Sequence, residues 1–286
     1  MKLDRIAIIA PSGAYDPARF AAGLDLAREA GLTLDIPDDL LQPHRYLAAS
    51  DDVRLTHLVD ALTNPDVSAV WAARGGFGVT RLLDRVPWHR VQPKPVIGFS
   101  DVTPLMDAMR VKTGAVGLHG PVVHSLLATR QEDRERLFHV LRGGHLEPLF
   151  GVPWVSGTAT GPVVGGNLSM IAATCGTPWQ LDATGALLLL EDVGEPPYRI
   201  DRMLTQLHQA GVFKGVAGVL VGSWDACRVP DGAVWALEDI LREHLVALDV
   251  PVLGNLPIGH GAENAVVPIG GLAVIEGDTL RVLAPT

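Results

Sequence analysis

Three kinds of residue in this chain are placed to do chemistry: a serine closing an apolar run, histidines in glycine-rich surroundings, and an acid ending a buried strand. The serine is Ser100, in the stretch VIGFSDVTPLMDAM (96–109). Val96 to Phe99 reads as the end of a buried strand, and a helical pattern with Pro104 in its first turn follows at once. One reading makes Ser100 or Asp101 a helix cap, a short side-chain oxygen accepting an orphan N–H. The other makes Ser100 a nucleophile. At a helix N-terminus its oxygen feels the positive end of the dipole and lies beside free N–H groups able to hold a developing oxyanion. GFSDV falls short of the G-x-S-x-G elbow, because Val102 stands two positions after the serine.

A serine nucleophile needs a base, and there are ten histidines. His57, His139, His208 and His244 lie in helical patterns. His119, in GLHGP, ends an apolar run and is expected at the same sheet edge as Ser100, where it would line a crevice. His260, in NLPIGHGAENAVVPIG, sits in a glycine-rich loop with no obvious packing task, so surface display and catalysis both fit it. A carboxylate to orient the imidazole is offered by Glu191-Asp192, which closes the apolar run Ala186 to Leu190. The competing reading is a loop acid capping a helix that begins near Pro197. The stretch RGGFG (74–78) lacks both G-x-G-x-x-G and the GK[ST] ending, so it is a weak nucleotide signal. Its glycines do let backbone N–H groups approach a ligand closely, as an oxyanion hole requires. No HExxH, no cysteine cluster and no histidine pair at ligand spacing beside an acid is present, so no metal site is expected.

The elements that must position these residues follow from periodicity. RIAIIAPSG reads as a strand and turn, DPARFAAGLDLAREAG as a helix, LTLDIP as a strand and DDVRLTHLVDALTN as a helix. VSAVWAARGG, a helical TRLLDRV, PVIGFS and the helix after Ser100 continue the alternation. Continuously apolar strands separated by helices predict a parallel sheet covered on both faces, with ligands outside the carboxyl ends of its strands. RGGFG and FSD both fall at such ends. Between about 140 and 160, RGGHLEPLFGVPWVSGTATG loses periodicity and is expected as an interdomain connection. The second half carries GALLLLEDVGEPPYRIDRMLTQLHQAG, a strand GVAGVLVGSW, a helix AVWALEDILREHLVALD and a closing GLAVIEGDTLRVLAP whose EGD suggests a hairpin. The expected organisation is an N-terminal domain over 1–143, a linker over 144–160 and a C-terminal domain over 161–286.

Composition bounds the rest. At 286 residues with 48% hydrophobic and 19% charged residues, the chain can bury a sizeable core. A net charge of −9 argues against nucleic acid or an anionic membrane surface as the main partner. The apolar start, Ile6 to Ala10, is too short for a signal h-region, and no run is long enough for a membrane span. Cys175 and Cys227 are too few for a disulfide scaffold and suit a reducing cytoplasm.

Taken together, ARGGFGVTRLLD, GFSDVT, LHGP, GGNLS, LLEDVGEPPYRIDRML and LPIGHG, in that order, resemble the serine LD-carboxypeptidases. These comprise the muramoyltetrapeptide carboxypeptidases and the related microcin C self-immunity peptidases. IAIIAPSG matches the family's opening strand, so the resemblance covers nearly the whole chain. It implies an α/β fold: a flavodoxin-like parallel-sheet N-terminal domain and a smaller mixed α/β C-terminal domain. It places the catalytic serine, glutamate and histidine on Ser100, Glu191 and His260. It also places a backbone oxyanion hole on the N–H groups of Gly76 and Asp101. Acyl transfer without a cofactor, a small peptide substrate and a homodimer are further implications. In the main branch the substrate is the cytoplasmic murein tetrapeptide, which loses its terminal D-Ala. Arg74 is then a candidate for the D-Ala carboxylate. In the immunity branch it is a peptidyl-nucleotide, with Trp179 or Trp224 available to face the base. A non-catalytic binding protein on the same fold, and a nucleotide-binding enzyme using RGGFG, are the alternatives from other classes.

Overall fold

Short β-branched and aliphatic runs punctuated by helices, the first two capped by Asp16 and Ser50, build the first half of the chain. A computed structural model describes residue 3 and residues 5–283 and divides into two units. Among the described residues, the first runs to His145 and takes in Ala265–Gly270; the second holds Leu146–Asn264 and residues 271–283. The first unit's strands are β1 (Ile6–Ile9), β2 (Leu34–Asp35), β3 (Ala69–Ala72), β4 (Val96–Gly98) and β5 (Gly117–His119). They pair in parallel in the order β2-β1-β3-β4-β5, the flavodoxin-like order. Strands β1, β3, β4 and β5 are buried throughout, as a sheet covered on both faces requires.

Helices α1 (Pro17–Glu29), α2 (Asp51–Thr63), α3 (Thr103–Thr113) and α4 (Gln131–Leu141) alternate with these strands. Asp16 caps α1 by accepting from the Arg19 N–H at 2.9 Å, with Pro17 in the first turn, as its sequence predicts. TRLLDRV departs from expectation. It forms two single 3-10 turns, Val79–Arg81 and Leu83–Arg85, where Pro87 leaves too little chain for an α-helix.

The second unit contains β6 (Leu149–Phe150), β7 (Val152–Val155), β8 (Thr158–Asn167), α5 (Leu168–Thr174), β9 (Leu187–Val193), α6 (Pro197–Ala210), β10 (Gly218–Asp225), α7 (Leu237–Val246) and β11 (Val252–Gly254). The chain then supplies β12 (Val267–Ile269), which pairs antiparallel with β5 in the first unit's sheet, before β13 (Leu272–Glu276) and β14 (Thr279–Val282). The second sheet runs β6-β14-β13-β8-β9-β10-β11-β7. Its terminal strands β6 and β7 are separated only by Gly151, so one continuous stretch bounds both ends of the sheet. Ile200, Leu204 and Leu207 of α6 repeat at helical spacing and are fully buried with Leu188 and Leu190 of β9. Each such side chain contributes roughly 1.5–3 kcal/mol of apolar burial.

Two details correct the domain reading. Residues 144–160, expected as a linker, hold β6, β7 and the start of β8. The prolines that hid this are tolerated because Pro153 lies on β7, an edge strand. The segment 265–270, expected with the C-terminal domain, belongs to the first unit through the β12–β5 pairing. The EGD hairpin is present as β13–β14. Among the described residues no helix is long and apolar enough to cross a membrane, and no group of three His, Cys, Asp or Glu side chains is placed to hold a metal ion.

Candidate active site

In the first unit the chain turns from β4 into α3 within a few residues. Gly98 carries φ +156, and a Cβ there would press on the Val102 side chain at 3.1–3.2 Å. Ser100 itself has φ +62, in the left-handed region that costs a non-glycine residue roughly 1–2 kcal/mol. A 3-10 turn, Ser100–Val102, leads directly into α3. Neither this turn nor α3 is capped by a side chain, so the capping reading of Ser100 and Asp101 is not what the turn uses. The strained serine at a strand-to-helix turn is the geometry of a nucleophile elbow, reached without the second glycine of that motif.

The RGG loop lies against this turn. A Cβ on Gly75 would fall 2.9 Å from the Ser100 Cβ and 3.0 Å from its Oγ, so only glycine permits the contact. Gly75's carbonyl accepts from the Gly13 N–H at 3.0 Å. Gly76 follows with φ +111, and its N–H meets no backbone carbonyl among the described residues. The Asp101 N–H lies in the first turn of a helical segment, where donors have no intrahelical acceptor. Both donors proposed for an oxyanion thus belong to the unit that carries Ser100.

The Asp101 side chain does a separate job. It is fully buried, and its Oδ2 accepts from the Val79 N–H at 2.9 Å. Burial pushes its carboxyl up to about 6, against the opposing pull of the Ser12 hydroxyl, the Val79 and Gly78 N–H groups and Arg54. Arg74 is exposed, and its guanidinium donates to the Ala14 carbonyl, so it ties the loop after β3 to the loop after β1. His119 corrects the expectation that it lines a crevice. It is fully buried at the end of β5, edge-on to Phe99 with ring centroids 5.9 Å apart.

In the second unit β9 does not stop at Leu190 but continues through Glu191 and Asp192 to Val193. Consecutive strand residues point to opposite faces, which separates the two acids. Asp192 accepts from Asn167 Nδ2 at 3.0 Å, from the Ser169 N–H at 2.8 Å and from the Ser169 hydroxyl at 2.7 Å, fixing the start of α5. Glu191, with no exposed side-chain surface, instead accepts from His260 Nδ1 at 2.6 Å. With the Nδ1 proton held on the carboxylate, the neutral ring carries its lone pair on Nε2, the tautomer a general base needs. The imidazole keeps 13% of its surface exposed.

The loop bearing His260 reaches Glu191 because two glycines let it. The Ser223 N–H donates to the Ile258 carbonyl at 2.7 Å, stitching the loop to β10. A Cβ on Gly222 would fall 2.3 Å from that carbonyl. A Cβ on Gly259, whose φ is +135, would fall 2.3 Å from Ser223 Oγ and 2.9 Å from Glu191 Oε2. Gly222 and Gly259 are residues that sequence reasoning passed over, and the close approach of Gly75 to Ser100 is a contact it did not foresee. The signal available was only the glycine of GHG and of RGG, without the partner each must admit.

The chain also matches known proteins along its length. Residues 6–120 match the family model of the LD-carboxypeptidase N-terminal domain, and residues 160–275 that of the LD-carboxypeptidase C-terminal domain. A murein tetrapeptide carboxypeptidase of Pseudomonas aeruginosa is 36% identical over 292 residues, covering 97% of this chain and 94% of that protein. The crystal structure of muramoyltetrapeptide carboxypeptidase from Oxalobacter formigenes superposes with a TM-score of 0.82 at 30% identity, covering 96% and 97% of the two chains. The self-immunity protein MccF, solved in complex with glutamyl sulfamoyl guanosine, gives a TM-score of 0.87 at 19% identity, covering 100% and 97%, a likeness of fold.

Proposed function

Because the chain belongs to the LD-carboxypeptidase family, and is accordingly a peptidase, we propose that Ser100, His260 and Glu191 act as one triad that releases the terminal D-Ala of a murein tetrapeptide. The observation that carries this reading is the 2.6 Å contact between His260 Nδ1 and the buried Glu191 carboxylate. The strained, uncapped Ser100 turn supports it from the first unit. The murein substrate is supported by the similarity to the Pseudomonas aeruginosa enzyme.

In this mechanism His260 Nε2 takes the Ser100 proton as Oγ attacks the carbonyl carbon of the L-to-D amide. The carbonyl oxygen gains negative charge and is stabilised by the N–H groups of Gly76 and Asp101. Glu191 stabilises the imidazolium that forms. Collapse breaks the C–N bond, His260 returns its proton to the leaving nitrogen, and D-Ala departs. Water, deprotonated by His260, then attacks the ester, and Ser100 recovers its proton. No cofactor or metal takes part in these steps. The enzyme works in the cytoplasm as a homodimer, a state that light scattering after size-exclusion would measure directly.

The test is mass spectrometry of the wild type and Ser100→Ala with two substrates in parallel, L-Ala-γ-D-Glu-meso-diaminopimelate-D-Ala and an aminoacyl sulfamoyl adenosine. The expected result is D-Ala release by the wild type only. Cleavage of the nucleotide conjugate alone would move the enzyme to the self-immunity branch, and D-Ala release by Ser100→Ala would overturn the nucleophile.

A further inference from the structure

Three loops meet around Ser100, and a pair of buried charged side chains ties them. The loop after β1 supplies Pro11, Ser12 and Gly13; the RGG loop after β3 supplies Gly75 to Val79; the turn after β4 supplies Ser100 and Asp101. Arg54 of α2, only 1% exposed, donates through Nη1 to the Pro11 carbonyl and to the Gly78 carbonyl, the latter at 3.1 Å. Its Nη2 donates to Asp51 Oδ1 at 2.6 Å. A Cβ on Gly78 would stand 2.6 Å from Arg54 Nη1, so glycine at 78 is what lets the guanidinium reach both carbonyls. On the other side of this peptide, the fully buried Asp101 takes the Val79 N–H at 2.9 Å.

We infer that the Asp101 side chain is a positioning residue for the oxyanion hole. Its carboxylate, with Arg54, holds the Gly78–Val79 peptide from two sides, Arg54 on the carbonyl and Asp101 on the N–H, and so fixes the Gly76 N–H relative to Ser100 Oγ. The argument rests on connectivity and burial. Gly76 has a positive φ and no backbone acceptor among the described residues, so nothing in its own turn holds its N–H in place. Two residues on, the loop is anchored by a buried anion and a buried cation that reach it from different elements. Burying a charge is costly unless its partners are well placed, so a carboxylate kept here in preference to an apolar side chain has a task that needs an acceptor. The inference rests on Ser100 being the nucleophile but not on the identity of the substrate.

The experiment measures how fast a fluorophosphonate labels Ser100. In that reaction the Oγ–P bond forms and fluoride leaves, and the phosphoryl oxygen draws on the same N–H donors whatever the natural substrate is. Asp101→Ala keeps the backbone N–H of position 101, so a slower rate reports the side chain alone. The expected rate is about 30-fold below wild type per folded molecule, a fraction of the 10²–10³ lost when an oxyanion donor is removed outright. Asp101→Asn retains a carbonyl oxygen for the Val79 N–H and is expected to recover to within about fivefold of wild type. With peptide substrate the same variants should lower kcat and leave KM within about twofold. Labelling of Asp101→Ala within twofold of wild type, or no recovery in Asp101→Asn, would overturn the inference. Should Asp101→Ala not fold, Arg54→Lys carries the test, because a single ammonium cannot span the Pro11 and Gly78 carbonyls as the guanidinium does; about three- to tenfold slower labelling is expected and an unchanged rate counts against. A wild type that is not labelled at Ser100 would instead sink the nucleophile assignment, so the two failures are distinguishable.

Discussion

Ser100 and His260 both sit in tight turns with left-handed backbone, and the two turns place that conformation on different residues. In the His260 loop the positive φ falls on Gly259, which adopts it without penalty, and the histidine is then oriented by a side-chain partner, Glu191. In the Ser100 turn the positive φ falls on the serine itself, and no side chain caps or holds it. The first unit therefore presents its reactive group through backbone geometry, and the second through a buried hydrogen bond. The difference teaches which substitutions each unit tolerates. The histidine loop is vulnerable at its glycines and at its carboxylate, whereas the serine turn carries a strain that a better-suited residue would relieve.

The comparison can be sharpened first at the carboxylate. Glu191→Gln keeps the shape but removes the charge that stabilises the imidazolium, and kcat should fall by about 10²–10⁴ with KM little changed, measured on tetrapeptide. A loss under tenfold would mean that His260 is oriented by its loop rather than by Glu191. Next comes Gly259→Ala, which places a methyl 2.3 Å from Ser223 Oγ at a φ of +135. Urea denaturation should show about 2–4 kcal/mol of lost stability, and a wild-type midpoint would show that the loop has another conformation open to it.

Asp101 gives a pH dependence of comparable size. Its carboxyl is raised to about 6 in the folded chain, so folding favours its protonated form. The associated stability is fully present below the unfolded value of about 4 and is lost as pH rises through about 6, a change of about 3 kcal/mol. Denaturation of wild type against Asp101→Asn across pH 4 to 7 isolates it, and parallel curves would show that Asp101 titrates normally. The smallest effect expected is at the strained turn. Ser100→Gly should be more stable than Ser100→Ala by about 1 kcal/mol, because alanine keeps the left-handed penalty and glycine does not. Equal stabilities would remove the contrast between the two turns.

These contrasts bear on what was legible beforehand. The residues proposed for the triad stand out through local context: Ser100 between an apolar run and a helix start, Glu191 at the end of a leucine run, His260 in a glycine-rich loop. The parallel sheet was legible because buried strands and amphipathic helices alternate over the first half. What escaped was everything set by long-range pairing. The linker expected over 144–160 folds as edge strands, whose hydrogen bonds come from β11 and β14 a hundred residues away. The return of β12 to the first sheet depends on β5, and nothing local in VPI signals it. His119 resembles a crevice residue in sequence, but it is fully buried, with β12 paired alongside its strand and Phe99 edge-on to its ring. The role proposed for the Asp101 side chain joins it to Arg54 through the Gly78–Val79 peptide, positions no spacing rule connects.

The central claim is that Ser100 and the Glu191–His260 pair work as one unit, and a double-mutant cycle tests it most directly. Rates of D-Ala release would be measured for the wild type, Ser100→Ala, His260→Ala and the double variant. A shared mechanism predicts that each single change costs about 10³-fold or more and that the double variant is no slower than either. Losses that multiply, with the double variant slower than both by the product of the two, would show that Ser100 and His260 act independently and would contradict the account.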